Sequence, residues 1–81
     1  MMARKQEYIR WAITGECGLY TGQYLTKRDA IADHIHCLNR DVSRYAGNGL
    51  DSEQLAAWHR CYEKGDRAVK VKVIIQMPRR A

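Results

Sequence analysis

Residues 67–77, Arg-Ala-Val-Lys-Val-Lys-Val-Ile-Ile-Gln-Met, alternate apolar with polar or basic side chains almost without fault. A period of two sends every second side chain to the same side of an extended chain, so this segment is a strand with one buried face and one wet face. Val69, Val71, Val73 and Ile75 are then expected in a core, with Lys70 and Lys72 in solvent. Pro78 ends the strand and leaves Pro-Arg-Arg-Ala as a basic tail carrying Arg79 and Arg80.

A second alternating stretch runs from Glu7 to Thr14, with Ile9, Trp11 and Ile13 on one face and Tyr8, Arg10 and Ala12 on the other. Gly15-Glu16-Cys17-Gly18 reads as a hairpin turn, and Leu19 to Leu25 as the returning strand. A four-residue loop pairs Thr14 with Leu19, and the continued register sets Ile13 opposite Tyr20, Trp11 opposite Gly22 and Ile9 opposite Tyr24. The indole is expected to cover the bare glycine.

Thr26 has the character of an N-cap, with Asp29 three residues on near the positive helix end. The stripe Ile31, Ile35, Leu38, Val42 follows helical spacing and predicts a helix from Lys27 to about Tyr45, stopped by Ala46-Gly47-Asn48-Gly49. Asp51 caps a second, shorter helix, with Gln54 at its third position, Leu50 and Leu55 spaced for a hydrophobic staple, and Leu55, Trp58 and Tyr62 as its buried stripe. Lys64-Gly65 is its stop. The order β-β-α-α-β predicts an α+β two-layer sandwich, a three-stranded sheet with both helices on one face. The periodicity does not decide whether the third strand pairs with the first or the second.

At 81 residues the chain reads as a single domain over 1–81, with 1–5 and 78–81 as basic, flexible tails. A domain of this size buries only about 60 to 65 percent of its unfolded surface, so its core is small. No apolar run approaches the ~20 residues of a membrane-spanning helix, and three cysteines, Cys17, Cys37 and Cys61, leave no closed disulfide set. A cytoplasmic protein is expected on these grounds. The formal charge of +5 favours approach to acidic surfaces or polyanions.

Two contact surfaces suggest themselves. The helix-free sheet face is expected to carry Tyr8, Arg10, Thr21, Gln23, Lys70 and Lys72, and together with Arg79 and Arg80 it has the charge to follow a phosphate backbone, although Tyr8 is its one stacking platform. Arg40, Arg44 and Tyr45, beside the Gly-Asn-Gly turn, form a candidate protein-binding edge. His34, His36, Cys37, His59 and Cys61 have no metal-binding spacing on one helix. His34 and Cys37 lie three apart, but His59 and Cys61 are about 200° apart around the axis, so neither a metal nor a cofactor is expected. No glycine-flanked nucleophile, phosphate loop or oxyanion-forming turn accompanies these residues, and the chain does not read as an enzyme.

In size, basicity and hairpin-helix opening the chain resembles the accessory proteins of temperate bacterial phages and prophages. The likeness is carried by Tyr8 to Leu38, above all Gly-Leu-Tyr-Thr-Gly-Gln-Tyr-Leu-Thr-Lys-Arg-Asp-Ala-Ile. It implies a regulatory protein that binds and redirects or inhibits a host factor. The leading expectation is therefore stoichiometric binding to a protein partner, and the alternative is a nucleic-acid-binding accessory protein working through the basic sheet face and tails.

Overall fold

The computed structural model describes residues 5–16, 18–20 and 22–76. The fold is α+β: strand β1 (Lys5–Gly15), strand β2 (Gly18–Leu19), helix α1 (Lys27–Leu38), helix α2 (Ser52–Glu63) and strand β3 (Arg67–Gln76). The antiparallel sheet has the order β2-β1-β3, so the first and last strands among the described residues are neighbours and β3 is an edge. Helix α1 lies against β1 and β3, and α2 packs on α1.

The hairpin begins in the expected register, with Thr14 opposite Leu19 and Tyr20 N–H donating to the Ile13 carbonyl at 2.9 Å. It does not continue. Trp11 bridges Tyr24, not Gly22, through two backbone bonds of 2.7 and 2.9 Å, so the returning chain holds two more residues than β1 over this span and strand β2 is only two residues long. Gly22 sits at φ +121° within the excess segment, and a Cβ placed there would lie 2.6 Å from the Tyr24 hydroxyl. A tyrosine ring, and not the indole, covers this glycine.

The largest departure from the sequence reading concerns the faces of β3. Residues directly opposite in an antiparallel pair share a face, and the register sets Trp11 against Lys70, Ile9 against Lys72 and Ile13 against Ala68. The core is built on that face: Ile13, Ala30, Ile31, Ile35, Val42 and Ala57 form it, with Trp11, Tyr24, Leu50, Trp58 and Ala68 packed around it. Val69, Val71, Val73 and Ile75 instead share the helix-free face with Ala12, Arg10, Tyr8 and Gln6. The small Ala68, and not a valine, is the β3 residue beneath the helices. An alternating strand specifies two faces without saying which meets the helices, and here pairing with β1 makes that choice.

Helix α1 ends at Leu38, well short of Tyr45. The Asn39 side chain accepts from the Asp41 backbone at 3.1 Å and its carbonyl accepts from Val42 N–H at 3.1 Å, a local turn that competes with helix continuation. Val42 is still buried, but it enters from the loop, whereas Leu38 is exposed. In α2 the Asp51–Gln54 capping box forms as expected. Its buried side is Gln54, Ala57 and Cys61 with Trp58 half-buried, while Leu55 and Tyr62 face water. Gln54 is 0% exposed because its amide is fully used: Nε2 donates to the Ser43 and Tyr45 carbonyls at 2.7 and 2.8 Å, and Oε1 accepts from Asp51 N–H.

Candidate functional site

The helix layer covers only the turn end of the sheet. On one face of β1, Ile13 is 3% exposed while Ile9, four residues toward the N-terminus, is 56% exposed. Beyond Trp11 the β1–β3 pair is thus a bare ribbon, with Ile74 55% and Ile75 44% exposed on opposite sides. Its helix-free face carries the row Val69, Val71, Val73, Ile75, with Tyr8 opposite Val73 and Arg10 opposite Val71. The Arg10 guanidinium lies 4.9 Å from the centre of the Tyr8 ring, and the Tyr8 hydroxyl donates to Gln6 Oε1 at 2.8 Å.

The basic residues expected together on that face are divided by it. Arg10 is on the helix-free side, whereas Lys70 and Lys72, though exposed as expected, are on the side of Trp11. Lys70 and Lys27 hold their ammonium groups 5.5 and 5.9 Å from the indole ring centre, and Lys72 lies 3.7 Å from the Glu7 carboxylate. Gln23 is exposed in the segment between β2 and α1. Arg40 is exposed just past α1, Arg44 lies 3.6 Å from the Asp33 carboxylate, and Tyr45 is 80% exposed. Arg79, Arg80 and Thr21 lie outside the described residues.

At the other end of the molecule a cavity of about 480 Å³ opens between the hairpin turn and the helices. Its floor is a polar cluster that no single-helix spacing reveals. His34 on α1 sits with Nε2 3.1 Å from Asp66 Oδ2, just before β3, and the Tyr20 hydroxyl donates to Asp66 Oδ1 at 3.4 Å while its ring stacks on His34. Cys61 on α2 completes the group: one ligand atom each from His34, Cys61 and Asp66 lies within 4.8 Å of the others. Burial pushes the Cys61 thiol up from its ordinary range, and the Asp66 charge adds to the shift. Cys37 and Glu16 also line the cavity, as does Asp33, which accepts a hydrogen bond from the Tyr24 hydroxyl. Burial first, then that bond, raises the Tyr24 phenol to about 12. The other two histidines are engaged elsewhere, His36 with the Val42 carbonyl at 2.8 Å and His59 with Glu63 at 3.0 Å on the exposed side of α2.

Compared with protein-family models, curated proteins and solved structures, the chain matches none. No helix among the described residues is long and apolar enough to cross a membrane.

Proposed function

We propose that the protein is a non-enzymatic regulatory module that binds an acidic protein partner stoichiometrically through the helix-free face of its β1–β3 ribbon. The observation behind this is the row Val69, Val71, Val73, Ile75 on the sheet face opposite the core, whose three valines are half-buried and whose Ile75 is 44% exposed. A sheet face of this composition is ordinarily buried against another layer, and an exposed apolar stripe rimmed by polar groups is the common form of a contact surface. Its cross-strand neighbours already cover part of each side chain, so completing the burial contributes roughly 1 kcal/mol per residue. Arg10 and Arg67 flank the row, and the net charge of +5 sets two copies of this chain against each other while drawing an acidic partner. Under the phage resemblance, that partner is a host factor.

A photo-crosslinking residue at Val71, with one at His59 on the far side of α2 as control, tests this. The Val71 probe is expected to trap an acidic protein at fixed stoichiometry, insensitive to nuclease. Cross-links formed only from His59, or from Val71 only to a second copy of the chain, would overturn the reading. The nucleic-acid alternative retains one favourable observation, the two lysines beside the half-buried Trp11. It ranks second because the sheet divides Arg10 from Lys70 and Lys72, and because Lys72 is paired with Glu7.

A further inference from the structure

The geometry points to a divalent metal site of the zinc class formed by His34, Cys61 and Asp66. The three ligands come from three places in the fold, α1, α2 and the turn just before β3, and each is largely withdrawn from solvent: the His34 and Asp66 side chains are 10% and 13% exposed and Cys61 is 8% exposed. A tetrahedral zinc ion sets its ligand atoms roughly 3.3 to 3.6 Å apart. The His34–Asp66 pair, at 3.1 Å, is already near that separation. Even the widest pair, within 4.8 Å, needs only about 1 Å of closure, a matter of side-chain rotation.

Ligand chemistry narrows the class. A thiolate with an imidazole and one carboxylate suits zinc and its borderline neighbours, whereas magnesium and calcium call for oxygen ligands throughout. Without metal, Asp66 accepts from Tyr20 through Oδ1 and sits in hydrogen-bonding range of His34 through Oδ2; an entering ion replaces the His34–Asp66 contact with a bond to each, and the Tyr20 bond to Oδ1 can remain. The thiol gives its proton to solvent and the sulfur pair goes to the metal; the Nε2 lone pair of His34 is made available by moving its proton to Nδ1 or, from the imidazolium, by releasing one. Thiolate and carboxylate together neutralise the ion. The adjoining cavity leaves the fourth position open to water.

The test uses the full chain, reduced with a phosphine, stripped of metal and titrated with cobalt(II). One cobalt per chain is expected, with a thiolate-to-cobalt charge-transfer band and the visible bands of four-coordinate cobalt, all displaced by zinc. Cys61→Ser and His34→Gln are expected to weaken binding by more than the ~10- to 100-fold that loss of an outer-sphere partner causes, with the charge-transfer band gone in Cys61→Ser. His59→Gln, on the exposed side of α2, is expected to bind as the wild type does. Absence of the band at equimolar cobalt, or its survival in Cys61→Ser, would overturn the site. Should Cys61→Ser not fold, X-ray absorption on the zinc-loaded wild type decides: one sulfur at about 2.3 Å is expected, and a shell of oxygen and nitrogen alone would overturn it.

Discussion

Gln54 shows how much of this small fold hangs on single polar side chains. It is the sole buried polar residue among the described ones, and its amide joins the loop carbonyls of Ser43 and Tyr45 to the N-terminus of α2. Gln54→Leu fills similar space but strands those carbonyls and the Asp51 N–H, and is expected to cost about 2 to 4 kcal/mol in denaturant unfolding. Tyr45→Ala, on the same loop but facing water, should stay within about 0.5 kcal/mol. The Tyr24 phenol sets a second expectation. Below pH 10 the folded and unfolded chains both hold its proton, and between 10 and about 12 the unfolded chain releases it first, so stability falls with pH across that window. Tyr24→Phe cannot show this loss. The stability gap between wild type and Tyr24→Phe, followed by denaturant titration at stepped pH, should therefore narrow from pH 10 upward.

Among the elements, β1 carries the boundary between scaffold and contact surface within one strand. Ile13→Ala opens a cavity under α1 and is expected to cost about 2 to 5 kcal/mol, while Ile9→Ala on the same face should cost less than about 1. Equal losses at the two positions would place the edge of the helix layer elsewhere. Much of this was legible in the residue pattern: the two long strands, both N-caps, the Asp51–Gln54 box and the Thr14–Leu19 turn all rest on local chemistry. What escaped it depends on distant partners. The valines of β3 and the isoleucines of β1 are each the better core face of their own strand, yet pairing sets them on opposite sides, a choice no single strand encodes. The Trp11–Tyr24 slip came from a backbone excess around Gly22, and the end of α1 from a turn at Asn39 that helical spacing overlooks. The His34–Cys61–Asp66 cluster was invisible for the same reason, since its members are neighbours only after three elements have packed.

At the scale of the whole molecule the ribbon makes the shape elongated, with extents of 52 × 28 × 18 Å and a radius of gyration of 15.6 Å. A compact domain of this length would have a radius near 12 Å. Solution scattering should return the larger value, and a compact particle would mean that the ribbon folds back onto the helices. Lys70 and Lys72 protrude near its middle, and replacing both with Gln should slow association with an acidic partner and reduce its salt dependence, while stability changes by no more than about 0.5 kcal/mol per site. Binding to duplex or single-stranded nucleic acid that is tight, steep in salt and lost in this double variant would instead promote the nucleic-acid reading. The sheet order has one more outcome, which belongs to synthesis. β1 emerges from the ribosome ahead of its main partner, β3, which ends at Gln76, about 60 residues later, or roughly 3 to 12 s at typical elongation rates. Throughout that interval Ile9, Trp11 and Ile13 form a nascent strand with only the short hairpin return to pair with, a natural substrate for ribosome-associated chaperones, and the sheet closes only when translation of this segment is complete.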